Sequence, residues 1–394
     1  MAVQSNYKVV VVGGGYAGTL AANRLRKRDD IDITLVNPRP TFVDRIRLHQ
    51  FVAGTGEATI DYGSLLGEGI DLVVDSATRI DTAARTVRLA SGGDLEYDYV
   101  IYAVGSTGVI PTSVPGAVEI AVSMAEWESA QRLRAALEEL PPEAPVTVVG
   151  GGLTGIETAA ELAEQGRRVA LVCGGVLAPS LSASTRRSIS RWLSRHGVVV
   201  VEAAEVIEVR PDAVVLADGA VRPSALTVWA AGFGVPGLAA ASGLRTDGLG
   251  RLLTDETLTS VHDDRIVAAG DAAAPSGQPL RMSCQAAAPL GAQAADTVLS
   301  HIAGIEPMVI DFAFTGSCVS LGRRGGVRQF ARKDDTSQNV YLGGRIVAAY
   351  KELTCKLGLF KIRREASKPG SVPWLKGGPR PAQPVSAARA VRFP

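Results

Sequence analysis

The chain writes one short passage twice, 137 residues apart. Tyr7-Lys-Val-Val-Val-Val runs into Gly13-Gly-Gly-Tyr-Ala-Gly18, and Pro145-Val-Thr-Val-Val runs into Gly150-Gly-Gly-Leu-Thr-Gly155. In each, a β-branched run of strand length meets G-x-G-x-x-G. A helix-forming stretch follows, Thr19 to Arg28 and Ile156 to Gln165, then a second strand, Ile31 to Val36 and Arg168 to Val172. That is a βαβ unit occurring twice. Gly13 and Gly150 permit the tight turn. Gly15 and Gly152 let the backbone approach a pyrophosphate, and Gly18 and Gly155 let helix and strand pack closely. The phosphates then lie at a helix N-terminus, where free N–H groups and the helix dipole favour negative charge. One such fingerprint is a weak signal, but two in strand–turn–helix context predict two dinucleotide sites.

At 394 residues the chain is too long for one ordinary domain. Pro141-Pro-Glu-Ala-Pro145 reads as a linker before the second unit. A composition 46% apolar and 21% charged is that of a soluble globular protein. Tyr7 to Val12 runs straight into the glycines of the first turn, so it is not expected to be a secretory leader, and no apolar run is long enough to span a membrane. A reducing cytoplasm is the expected setting. Cys173, Cys284, Cys318 and Cys355 form no CxxC pair and the histidines are scattered, so no metal site is expected.

A net charge of +1 argues against a nucleic-acid binder, but the charge is uneven. Val340 to Pro394 carries +9, leaving −8 on the rest. A basic tail on an acidic body suggests a surface contact. No lysine occurs between Lys27 and Lys333, so a mechanism that needs one must take it from an end of the chain.

Further strands are expected at Leu72 to Val74, Thr86 to Leu89, Tyr99 to Val104, Val198 to Val201, Glu205 to Val209 and Val214 to Leu216. Val228-Trp-Ala-Ala-Gly232 closes the second unit, and Arg265 to Asp271 is a strand ending in Gly-Asp. A helix from Ser283 to Ala303 follows, then late strands at Phe312 to Val319 and Asn339 to Ala349.

Four motifs, the two fingerprints, Tyr102-Ala-Val-Gly-Ser106 and Ala268-Ala-Gly-Asp271, give residues 7 to 330 a family likeness. The chain resembles the pyridine nucleotide–disulfide reductase superfamily, and within it the type II NADH dehydrogenases and apoptosis-inducing-factor-like oxidoreductases. The resemblance implies an α/β protein with two Rossmann-like domains. FAD would bind a discontinuous domain, 1–118 and 244–308, with the NAD(P)H domain, 119–243, inserted. A small C-terminal domain and basic tail, 309–394, would complete it. FAD would lie against Gly13, Gly15, Tyr16, Ala17 and Gly18, with Ala103 and Gly105 beside it. Gly270 and Asp271 would meet its ribityl or phosphate region. NADH or NADPH would lie against Gly150, Gly152, Thr154, Gly155 and Gly232.

Several positions depart from the pattern. The acidic residue that would hold the first ribose is Asn37, which can still hydrogen-bond but carries no charge. Its counterpart in the second unit is Cys173. That side chain neither repels nor attracts a 2′-phosphate, and it also reads as a small buried apolar residue. The donor preference stays open. No cysteine precedes Cys173, which excludes the early cysteine pair of the disulfide reductases. Cys284, Cys318 and Cys355 do not match the neighbourhoods of the cysteines in sulfide:quinone reductases. The quinone-site pattern Ala-Gln-x-Ala-x-Gln appears as Cys284-Gln285-Ala286-Ala287-Ala288-Pro289. Gln285 and Ala287 match, making Gln285 a candidate contact for flavin and acceptor, whereas Pro289 cannot donate and removes a helix bond.

By the same resemblance Glu157 lies near the nicotinamide and flavin rings. Its plainer reading is a carboxylate favoured by the helix dipole. Arg45, Arg47 and His49 alternate and would share one face if extended, where Arg45 would stabilise an anionic flavin. Ile346, Tyr350, Leu353, Leu357 and Phe360 make one helical face flanked by Lys351, Lys356, Lys361, Arg363 and Arg364. Such a helix anchors family members on a membrane or in a homodimer, or it packs on the protein's own FAD domain. Lys351 is the lysine that would reach the flavin. Beyond Lys376 the chain reads as a flexible end.

The leading reading is an FAD-dependent NAD(P)H oxidoreductase with a quinone-like acceptor. A flavin protein whose conformation is set by nicotinamide binding, and a biosynthetic oxidoreductase for one metabolite, stay open.

Overall fold

The computed structural model describes residues 6–378 and 380. Both fingerprints sit between a central parallel strand and a helix. Tyr7–Val12 pairs with Ile31–Asn37 on one side and Tyr99–Tyr102 on the other. Ile70–Val74 and Ile266–Ala268 complete a five-stranded parallel sheet. The second sheet repeats the layout. Val146–Val149 lies between Val169–Val172 and Leu226–Trp229, with Val199–Val201 and Val122–Ser123 outside. Val9 to Val12 and Val146 to Val149 are buried along their length. Helices cover both faces of such a sheet, so its strands read as unbroken apolar runs. The strand Ile266–Ala268 lies far along the chain yet closes the first sheet, so the second unit is inserted into the first.

Three three-stranded antiparallel sheets, besides three two-stranded pairings, flank these: Ala77–Asp81 with Thr86–Leu89 and Asp94–Glu96, Val206–Val209 with Ala213–Leu216 and Val221–Pro223, and Gly316–Leu321 with Gly325–Ala331 and Ser337–Gly343. The last belongs to the C-terminal unit. Its strand Gly316–Leu321 packs on the second unit's helix Leu153–Glu164, and its helix Arg345–Ser367 packs on the first unit's helix Tyr16–Leu25. The Arg24 guanidinium meets the fully buried Glu365 at 3.1 Å across that contact.

Helix Cys284–Ala303 lies along Tyr16–Leu25, and Gly291 permits the approach: a Cβ there would stand 2.2 Å from the Ala17 carbonyl oxygen. The helix continues through Pro289 without a break. Both fingerprint helices start three residues earlier than their propensities suggest, because the last glycine of each motif lies inside the first turn.

Two late elements are corrected. Phe312 to Thr315 precede the strand, which begins at Gly316. The run from Asn339 divides at Gly344, whose φ of +94° turns the chain, so residues from Arg345 are helical. The helix buries Val347, Cys355, Ile362 and Glu365. The stripe Ile346, Tyr350, Leu353, Leu357 and Phe360 therefore faces outward, at 42% to 85% exposure, and does not pack on the first unit, the expected alternative. Of the expected flexible end, Gly377 and Gly378 donate to Asp311 at 2.8 Å. Residue 379 and those from 381 lie outside the described residues.

Candidate active site

The first glycine turn opens onto two adjoining hollows with a common wall, and the second unit borders the cleft they form through Thr154, Glu157 and Ala230 to Gly232. One arm runs from Gly13–Gly15 past Asn37 and Arg39; the other runs from Gly15–Ala17 to Thr154, Glu157 and Gly232. Ala103, Gly105, Ser106 and Arg45 line both arms, and Gly270 and Asp271 border the second. A Cβ on Gly15, Gly152 or Gly105 would meet nothing within 4 Å, so these backbones stand open to a ligand. On Gly18 a Cβ would stand 1.8 Å from the Gly13 carbonyl oxygen, and on Gly155 1.9 Å from that of Gly150. Gly13 and Gly150 hold φ of +105° and +126°. Both helices begin on a glycine with no capping side chain. Their first N–H groups are left for an anion.

The side chains beside the turns divide between bracing and facing. Asn37 accepts from Gly14 N–H at 3.0 Å and donates to the Arg39 carbonyl at 2.7 Å, so its amide is spent on the turn. The Tyr62 hydroxyl donates to the Gly14 carbonyl at 2.6 Å. Cys173 is 1% exposed beneath Gly151 and does not line the cleft. Burial pushes its thiol up to about 11, and it supports the second turn as an apolar residue.

Arg45 donates to the Ser106 carbonyl at 2.7 Å and the Ala125 carbonyl at 3.1 Å. The Ser106 hydroxyl donates to Asp271 at 2.7 Å, and Asp271 accepts from Ser283 N–H at 3.1 Å. This network ties Arg45, Ser106, Ala125, Asp271 and Ser283, from five separate places in the chain, together at the cleft wall. Arg45, Arg47 and His49 do not share a face, because residues 45–47 form a 3-10 turn leading into helix Leu48–Val52. Arg47 instead meets Asp44 at 3.3 Å and Glu352 at 2.8 Å, while His49 points inward. The Tyr16 hydroxyl donates to Asp44 as well.

Glu157 is the acidic residue where the second unit borders the cleft. It lies in the second turn of its helix, 8% exposed, on the cleft wall. Lys351 Nζ stands 3.0 Å from its Oε1, and Ser320 N–H donates to the same oxygen at 2.9 Å. Lys351 also donates to the Cys318 carbonyl at 3.1 Å. His49 Nδ1 is 3.9 Å from Oε2, and its Nε2 is 3.1 Å from Ser320 Oγ. Burial alone would push the carboxyl up, but Lys351, then His49 and the Ser320 N–H, hold it below the usual range. Burial would lower the Lys351 ammonium; Glu157 outweighs this and holds it above its usual value. Burial, with Lys351 and nearby arginines, drives His49 down to about 4 against the pull of Glu157, so it is neutral near pH 7. The result is a buried anion–cation pair at the cleft wall. Lys351 itself does not line the cleft.

Gln285 is placed elsewhere. Its amide is 2.7 Å from Thr315 Oγ1, and Cys284 and Ala287 line the cleft instead. Helical spacing puts 284 and 287 on one side and turns 285 about 100° away. Sequence reasoning assigned no role to Ser106, although it closes a quoted motif. Ser320 carries no local signal, since it meets Glu157 and His49 only through the fold, and the same holds for Asp44 in its contact with Tyr16.

The model of the pyridine nucleotide-disulphide oxidoreductase family matches residues 7–291. An NADH dehydrogenase-like protein of Mycobacterium tuberculosis, Rv1812c, is 31% identical over 352 residues, covering 81% of this chain and 87% of that protein. A type II NADH:quinone oxidoreductase of Staphylococcus haemolyticus is 26% identical, covering 91% and 96%. Among solved structures, sulfide:quinone oxidoreductase of Aquifex aeolicus shares the fold at a TM-score of 0.77, with 19% identity over 91% of this chain and 92% of that one. NDH2 of Plasmodium falciparum in complex with NADH shares it at 0.73, with 16% identity over 94% and 100%. The chain belongs to the pyridine nucleotide-disulphide oxidoreductase family, as an oxidoreductase with FAD and NADH or NADPH as its cofactors.

Proposed function

We propose that this protein is an FAD-dependent NADH:quinone oxidoreductase working at a membrane surface, with the domain boundaries 1–118 and 244–308, 119–243, and 309–394. The observation that carries the reading is the cleft bordered by both units, running from the first glycine turn to Thr154, Glu157 and Gly232, with Glu157 on its wall and paired with Lys351.

When bound, FAD supplies the hydride acceptor and the two-electron store. The chain supplies the rest. The first turn and the uncapped helix at Tyr16 hold one pyrophosphate; the second turn and the helix at Leu153 hold the other. The Arg45–Ser106–Asp271 network keeps the cleft wall rigid. Glu157 takes and releases a proton at the cleft wall, while Lys351 and Ser320 fix its Oε1. A neutral His49 adds no competing charge. A quinone needs protons as well as electrons, and this paired carboxylate is placed to pass one. Cys284 and Ala287 give the acceptor side an uncharged wall.

The test follows flavin absorbance without oxygen. NADH should bleach it, and menadione should then restore it. A flavin bleached by NADH that menadione leaves bleached would overturn the quinone reading.

The outward stripe on helix Arg345–Ser367 supports lipid contact. No helix among the described residues is long and apolar enough to cross a membrane. Four of the five expected basic residues flank the stripe; Lys351 turns inward to Glu157. Each basic side chain near an anionic leaflet contributes about 1 kcal/mol. The protein should therefore sediment with phosphatidylglycerol vesicles and be released by high salt. Leu353→Ser with Phe360→Ser should weaken sedimentation at least about tenfold, each lost apolar contact costing about 1.5–3 kcal/mol. Unchanged binding by that variant would exclude the stripe as the anchor.

A further inference from the structure

Helix Leu153–Glu164 is buried over most of its surface, yet it carries glutamates at 157, 161 and 164. Spacings of four and three put them on one face, with neighbouring Cβ atoms about 5–6 Å apart. The face is covered by strand Gly316–Leu321 and the turn after it. Ser320 N–H donates to Glu157, and Arg324 N–H donates to Glu164 at 3.2 Å. Glu157 opens on the cleft and Glu164 on solvent. Glu161, between them, is 1% exposed.

Glu161 accepts from Thr55 Oγ1 at 3.0 Å through Oε1, and Arg323 stands 3.9 Å away. Its Oε2 is buried with no hydrogen-bond partner. As an anion, such an oxygen forfeits its hydration and gains no donor in return. Packing does not call for a carboxyl here, since Ile156, Ala159, Ala160 and Leu162 are all buried and apolar. The charged groups facing it are Glu157 and Glu164 on its own helix and Arg323 from the turn, itself shared with Glu352 at 3.3 Å. Burial first, then the two carboxylates, push its carboxyl up to about 7 against Thr55 and Arg323. Near neutrality it both takes up and gives up a proton.

We propose that Glu161 is a positioning residue for protons, relaying them from solvent at the Glu164 end to Glu157 at the cleft. The proposal rests on the quinone reading. NADH, quinone and one proton give NAD+ and quinol. The hydride brings both electrons and one hydrogen, and the second hydrogen is a proton from water. In the relay the Glu161 O–H proton passes to the Glu157 carboxylate, and Glu157 passes it to the acceptor oxygen. Glu161 then regains a proton from solvent, so each carboxyl ends as it began.

The test uses Glu161→Gln and Glu161→Asp holoenzyme with two acceptors, menadione and ferricyanide, the latter taking an electron and no proton. In Glu161→Gln, kcat with menadione should fall at least about tenfold with KM unchanged, and its pH profile should lose the limb near neutrality. Flavin bleaching by NADH and the ferricyanide rate should stay within about twofold, and Glu161→Asp should restore part of the menadione rate. A wild-type menadione rate and pH profile in Glu161→Gln would overturn the relay. An equal loss with both acceptors would also overturn it, marking a structural role. A wild-type protein that reduces ferricyanide and not menadione would overturn the quinone reading itself. Thr55→Val decides the matter if Glu161→Gln does not fold. Removing a donor that lowers the carboxyl should move the pH limb upward, and an unmoved limb counts against the relay.

Discussion

Lys351→Met is expected to cost about 3–5 kcal/mol of stability at pH 8, because it leaves Glu157 buried without its cation. The cost should depend on pH, and the sign follows from the pair. In the wild type Glu157 is held below its ordinary value of 4.5, so it stabilises the fold above that value and the contribution fades as pH falls. Lys351 is held above its ordinary 10.5, so its contribution is present below that value and fades as pH rises further. In the variant the principal counter-charge is gone and burial raises the Glu157 carboxyl. Its contribution is then present at acid pH and fades as pH rises. Urea unfolding should show the variant nearest to wild type at about pH 5 and furthest from it at about pH 8. Turnover with menadione should fall on the order of 10²-fold, since a carboxyl that keeps its proton no longer cycles. Adding Glu157→Gln should recover much of the stability and none of the turnover. A variant as stable as wild type at pH 8 would show that the pair does not hold the site together.

Gly152→Val should separate binding from folding. Its backbone is extended at φ −75° and ψ 177°, a conformation valine adopts freely, and its Cβ would enter open space. The fold should keep its thermal midpoint. The added side chain fills the place against the second turn where the NADH pyrophosphate would lie. The Kd for NADH should rise by about 10²-fold, which is about 2.7 kcal/mol. Gly155→Val meets the Gly150 carbonyl instead and should lower the midpoint as well, since overpacking costs about 1–3 kcal/mol or more. Bound flavin should survive in Gly152→Val, and titration by NADH absorbance with a melting curve reads both effects. Normal NADH affinity in Gly152→Val would place the donor elsewhere.

The central strands were legible because a sheet covered on both faces leaves uninterrupted β-branched runs. The glycine turns were legible because each glycine answers a local demand: a positive φ, an open face or a close helix. Helix starts were read late, since Gly18 and Gly155 look like breakers in sequence but lie inside first turns. Asn37 and Cys173 occupy the expected positions at strand ends. Their side chains turned to bracing, because each turn left a backbone group or a gap nearer than any ligand.

The acceptor side was less legible. Gln285 matched a motif, but the phase of its helix turns it to Thr315. Glu161 went unremarked because its charge and spacing look like those of any solvated helix, and only the covering strand shows that it is buried. The stripe from Ile346 to Phe360 was legible as a face; which way it points depends on what the opposite face buries.

By itself the sequence determined two βαβ units with their glycine turns, and it limited any essential lysine to the ends of the chain. These follow from contacts a few residues apart, which local order expresses directly. Tertiary structure alone decided that Lys351 meets Glu157, 194 residues away, with Ser320 and His49 arriving from two other segments. Such a site is a property of packing. Its carboxyl and ammonium acquire their protonation states only when burial removes water and brings each to the other.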